Sequence, residues 1–121
     1  MILTVSKTFQ FHAAHKIPHH LGHCRNLHGH TYTVTIHATG PIIESGSSEG
    51  MVMDFGDIKA LYNEVIHRRC DHRFLNDQFD FPTTAENLAT IFLLELHAED
   101  ARISRVDVSE GPGNIATAQV S

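Results

Sequence analysis

The chain is poor in cysteine, has no surplus of positive charge and contains no long apolar run. Each shortage removes a class of protein. Two cysteines, Cys24 and Cys70, in 121 residues are fewer than a secreted disulfide scaffold of this size carries, so free thiols are the expectation. Nine Lys and Arg against fourteen Asp and Glu leave a net charge of −5, without the basic footprint of a nucleic-acid binder. No apolar stretch approaches the roughly 20 residues of a membrane span. The opening MILTVSKTFQF alternates like a strand and lacks the charged start and continuous apolar core of a signal peptide. These features point to a cytoplasmic protein with a single domain over residues 1–121 and neither nucleic acid nor membrane as partner. What the chain has in excess is histidine, eleven copies, and their positions decide what the excess means.

The hydrophobic pattern gives an α+β order. Residues 2–12 alternate as a strand, with Leu3, Val5, Phe9 and Phe11 on odd positions. A loop rich in His, Gly and Pro follows over 13–30, and long loops in small domains are often functional. Residues 31–39 form a second alternating strand, broken by Gly40-Pro41 and by the stretch from Gly46 to Gly50. Residues 54–70 carry a helical stripe of Ile58, Leu61, Tyr62, Val65 and Ile66, with Asp54 as N-cap. A second helix starts after Pro82, with Thr83 and Glu86 at capping-box spacing and Leu88, Ile91, Phe92 and Leu96 on one face. Strands over 103–110 and 115–121 close the chain around Gly111 to Asn114. No repeat or low-complexity segment interrupts this order. A β-β-α-α-β-β order predicts one antiparallel sheet with both helices on one face. The other face and the edges then need cover, which predicts a homo-oligomer.

Chemistry concentrates in the stretch from Cys24 to His30, which reads CRNLHGH. In extended backbone His28 and His30 point to the same side, and Gly29 adds no bulk between them. His15, at the end of the first strand, is the best third ligand for a metal; His12, His19, His20 and His23 compete with it. Three histidines on zinc leave the fourth position open, as in catalytic sites. Cys24 is either that fourth ligand or a base or nucleophile beside the metal, where a cation favours the thiolate. Cys70 has no ligand partner in its motif and reads as structural. Asp71-His72 is either an acid–base pair or a helix end favoured by the dipole. Glu110 ends an alternating strand; its carboxylate suits the paired N–H groups of a guanine- or pterin-like ring, or it is a solvated strand end.

Six short motifs in order carry a resemblance. They are Phe11-His12-Ala13-Ala14-His15, the Cys24-to-His30 stretch, Gly50 through Phe55, Asp71-His72 with Leu75-Asn76, Thr84 through Ala89, and the late Glu110. Together the chain resembles the 6-pyruvoyl-tetrahydropterin synthase family, above all its bacterial 6-carboxy-tetrahydropterin synthase branch in 7-deazaguanine (queuosine) biosynthesis. Three residues between Cys24 and the His28-Gly29-His30 element match that branch. The resemblance implies the tunnelling fold, with subunits forming a barrel and two trimers making a hexamer, and active sites at subunit interfaces. It implies zinc on His15, His28 and His30, and Cys24 as a base rather than a ligand. Asp71 and His72 would tune that base, Glu110 would anchor the pterin, and Thr84 would lie near it, with Thr83 adjacent. The implied substrate is 7,8-dihydroneopterin triphosphate. Pyruvoyl-type triphosphate elimination, a related side-chain lyase, and a zinc module without turnover are the alternatives.

Overall fold

The computed structural model describes residues 1–121. Strands β1 (Thr4–His15) and β2 (His28–Thr39) pair antiparallel along their whole length, from Thr4 opposite Thr39 to His15 opposite His28. Both run further toward the histidine loop than the alternation alone predicts. The two added strand ends are the segments that bear His15, His28 and His30. β2 pairs in turn with β4 (Ile103–Gly111), and β4 forms a hairpin with β5 (Asn114–Gln119).

One addition was not expected. Arg73–Phe74 forms a two-residue strand, β3, that pairs parallel with β1, so the sheet is mixed and runs β3-β1-β2-β4-β5. It is too short to appear as an alternating pattern.

The first long helix is three segments in series. α1 (Phe55–Tyr62) passes into a π-helical turn (Asn63–His67) and then α2 (Arg68–Cys70). Asp54 caps α1 by accepting from the Gly56 N–H at 2.7 Å. A short α3 (Leu75–Gln78) precedes α4 (Ala85–Glu99). The cap of α4 is Thr84, whose hydroxyl accepts from the Asn87 N–H at 3.2 Å. The Thr83–Glu86 capping box is therefore corrected by one residue. Thr83 is not free to cap, because its side chain is buried and its hydroxyl faces His15.

All helices cover one face of the sheet. Odd positions of β1 and even positions of β2 point into the core, where Phe11, Tyr32, Val34 and Ile36 are fully buried against Ile58, Ile66, Leu88, Phe92 and Leu96. Each such side chain contributes on the order of 1.5–3 kcal/mol by leaving water. The opposite face is polar, with Thr4 bonded to Thr39 and Thr8 to Thr35 across the strands, each at 3.0 Å. His37, Arg105 and Asp107 lie on that same face.

Candidate metal centre and adjoining cavity

Register builds the metal centre. His15 stands opposite His28, and His30 stands opposite Ala13, two residues along the same ladder. Period-two alternation then turns all three imidazoles to the helix side, at the end of the sheet. Their rings meet edge to face, with centroids 4.5 Å apart for His15–His28, 5.1 Å for His15–His30 and 4.8 Å for His28–His30. One ring nitrogen from each lies within 4.8 Å of the other two.

The outer ring nitrogens are tied back. His15 Nδ1 bonds the Thr83 carbonyl at 2.8 Å, with the Thr83 hydroxyl at 3.2 Å. His28 Nδ1 bonds the Asn26 carbonyl at 2.7 Å. A carbonyl accepts only, so each Nδ1 carries the proton and each Nε2 presents its lone pair. Burial holds the His15 imidazole below the ordinary histidine range, against the opposing Thr83 hydrogen bond and the Glu110 charge. The Nε2 atoms of His15 and His30 are buried with no hydrogen-bond partner. Unpaired buried nitrogens are costly unless something else binds them. A divalent cation fits this donor set: three converging imidazoles, two of them with buried Nε2 atoms that have no other partner.

Cys24 is not among the converging atoms. It sits on a single 3₁₀ turn (His23–Arg25), partly exposed, and its carbonyl accepts from the Ile17 N–H at 2.6 Å. It lines an open cavity of about 710 Å³ together with His15, His20, Thr84 and Glu110. Glu110 Oε2 lies 3.8 Å from His30 Nε2, so the carboxylate stands beside the metal centre. Thr84 lines the cavity as well as capping α4.

Neither Asp71 nor His72 lines that cavity. His72 lies instead against the outer face of the sheet, its ring 6.0 Å from that of His12. Asp71 Oδ1 accepts the His12 N–H at 3.0 Å. That bond, with His72 and His67 nearby, holds the Asp71 carboxyl below the usual range. Cys70 is fully buried, and burial pushes its thiol up to about 12, which suits a structural residue. Of the competing histidines, only His20 enters the cavity.

Two supports escaped the sequence reading. Thr83 holds His15 chiefly through its carbonyl, with its hydroxyl as a second contact, and the carbonyl contact leaves no side-chain signature. Asn76 clamps Lys16 on both sides, accepting from its N–H and donating to its carbonyl, each at 2.9 Å. That clamp fixes the chain just past His15, and a Leu-Asn pair after Asp71-His72 was the available signal.

The sequence profile of the family described as 6-pyruvoyl tetrahydropterin synthase matches residues 4–120. The chain belongs to this family. It is 35% identical to 6-carboxy-5,6,7,8-tetrahydropterin synthase of Haemophilus influenzae, over 89% of this chain and 92% of that protein. It is 41% identical to the enzyme of the same name from Synechocystis, over 73% of this chain and 70% of the relative. Among solved structures, 6-pyruvoyl tetrahydropterin synthase of Caenorhabditis elegans superposes with a TM-score of 0.85 at 26% identity, covering 100% of this chain and 97% of that one. A Wolinella succinogenes protein shares the fold with a TM-score of 0.83 at 18% identity. Family membership and fold agree with the expectation drawn from the six motifs.

Proposed function

We propose that this family member is a zinc-dependent lyase. It converts 7,8-dihydroneopterin triphosphate and one water to 6-carboxy-5,6,7,8-tetrahydropterin, releasing triphosphate and acetaldehyde, in cytoplasmic 7-deazaguanine biosynthesis. The observation that carries the reading is the set of three converging imidazoles, two of them with buried, unpartnered Nε2 atoms, of which His15 lines a cavity that also holds Cys24 and Glu110. The names of the Haemophilus and Synechocystis relatives support the carboxy product.

In this reading His15, His28 and His30 hold Zn²⁺. Bound there, the ion supplies a Lewis acid to the oxygens of the substrate side chain. Glu110 accepts two ring N–H groups of the pterin and orients it. Cys24 Sγ takes a proton from the side-chain carbon facing it. The Asp71–His72 pair carries that proton onward, reaching Cys24 from a neighbouring subunit of a homohexamer. Thr84, at the cavity wall, positions the ring edge. No nicotinamide is required, because the side chain supplies the electrons that reduce the ring.

The test is a product assay. Zinc-loaded protein is incubated with dihydroneopterin triphosphate, and acetaldehyde and the pterin are measured together by mass spectrometry. Acetaldehyde with the 6-carboxy product is the expected result. Triphosphate release without acetaldehyde assigns the pyruvoyl reaction instead. Cys24→Ala keeps its zinc and loses turnover; loss of zinc in that variant would make Cys24 a ligand.

A further inference from the structure

The π-helical turn leads to a residue that the reaction scheme above leaves unused. A π turn widens the helix by one residue, and here the Arg68 N–H reaches back five residues to the Asn63 carbonyl. In a regular α-helix residue i+5 lies well round the axis from residue i. The widened turn brings them together: Tyr62 Oη and His67 Nδ1 are 3.1 Å apart. The helix then resumes α geometry, and His67 meets Asp71 four residues on, with Nε2 3.3 Å from Oδ2. A turn that costs backbone regularity thus ends in a contact with Asp71.

Asp71 is held on both oxygens. Oδ1 takes the His12 N–H at 3.0 Å, while Oδ2 stands 3.3 Å from His67 and 3.6 Å from His72. His72 sits at φ 57°, the only non-glycine residue with positive φ, and its N–H donates to the His12 carbonyl at 2.6 Å. Backbone strain of this kind persists where the surroundings over-determine it. One carboxylate oxygen is therefore shared by two imidazoles, one exposed (His72) and one anchored by Tyr62, whose hydroxyl also reaches the Gln10 carbonyl at 3.3 Å. A carboxylate only accepts, so the 3.3 Å contact is a hydrogen bond when His67 Nε2 carries a proton. The Tyr62 hydroxyl has one proton to share between the Gln10 carbonyl and His67 Nδ1, so Nδ1 is either its acceptor or a second ring donor to it.

We propose that His67 is a positioning residue, whose Nε2–H, braced by Tyr62 through the π turn, fixes the Asp71 carboxylate and with it the orientation of the Asp71–His72 pair. This rests on the reading that the pair handles the Cys24 proton. His67→Ala lowers kcat by about tenfold to a hundredfold, the effect of a misoriented proton-transfer group. KM, zinc content and oligomer mass stay unchanged. His67→Gln, whose amide N–H reaches the place of Nε2, recovers kcat to within a few-fold. Wild-type kcat in His67→Ala, or a Gln variant as slow as the Ala variant, overturns the proposal.

A second readout needs no substrate. Ring-¹⁵N histidine labelling of the zinc-loaded wild-type protein, with the signal assigned by its loss in His67→Gln, reports which nitrogen carries the proton. A proton on Nε2 is expected. A neutral ring protonated only at Nδ1 overturns the proposal, whatever the turnover. Absence of turnover in the wild type together with a proton on Nε2 would instead sink the proposed reaction and leave the brace standing.

Discussion

Glu110 has two neighbours competing for its carboxylate. One is the cavity, where a pterin would present paired N–H groups; the other is His30, 3.8 Å away. A charged acceptor lost from a buried pair of hydrogen bonds costs about 1.5–3 kcal/mol. Glu110→Ala therefore weakens pterin binding by roughly tenfold or more. Zinc stoichiometry is expected to stay at one per chain, measured by elemental analysis beside pterin titration; zinc lost in parallel with pterin affinity would make Glu110 a ligand. The residues of this centre differ in how far they could be read beforehand. His28 and His30 were legible because an alternating strand places i and i+2 on one side. His15 was legible as the strand end across a hairpin. The anchors behind them were not, since the shortest contacts of Thr83 and Asn26 are through carbonyl groups that every residue possesses. His67 was not legible either. It lies on a helix whose apolar stripe looks regular, and the single added residue of a π turn leaves that stripe almost intact.

Among the elements, the sheet ladder was legible and the junctions were not. Alternation located β1, β2 and β4, while their extension to the histidines and the two-residue β3 depend on tertiary pairing. The shift of the α4 cap from Thr83 to Thr84 has the same origin, because the buried His15 claims the first threonine. The outer face of the sheet carries its own cross-strand device. Asp107 accepts from Thr117 Oγ1 at 2.6 Å, His37 Nε2 at 2.7 Å and Arg105 Nε at 3.0 Å, joining β2, β4 and β5. Burial pushes the Asp107 carboxyl up, but these three donors outweigh it and hold the group below its ordinary 3.8. A lowered folded value gives stability that is complete above the unfolded value and is lost as pH falls through the folded one. Asp107→Asn should therefore cost about 1–3 kcal/mol in urea unfolding near neutral pH. The gap between variant and wild type narrows below roughly pH 4. A gap that is constant with pH would show that the charge of Asp107 contributes nothing.

At the level of the whole molecule, the proposed oligomer rests on something other than an uncovered sheet face. The uncovered sheet face bears threonines, histidine and charged groups, so it does not need protein to cover it. The demand for cover comes from elsewhere. Leu21, Leu27 and Ile115 are 97%, 66% and 65% exposed; the first two flank Cys24, and Ile115 lines the cavity. Exposed apolar side chains of this size are what a partner surface buries. The β5 edge is also open for pairing. Meanwhile Asp71 and His72 stand away from the cavity that holds Cys24 in the same chain. If the proposed reaction uses all three groups, a second copy would complete the site, across a heterologous contact of the kind that closes into rings. Sedimentation at micromolar concentration is expected to show six times the 13.5 kDa chain mass. Mixing separates shared sites from private ones. Cys24→Ala and His72→Ala are each inactive alone, and after joint dissociation and reassembly in equal amounts about a quarter of shared sites regain both wild-type groups. Activity rising from zero toward that fraction is the expected outcome. No recovery, from mixed oligomers verified by mass, would place Cys24 and His72 of one chain in one site and remove the need for a neighbour.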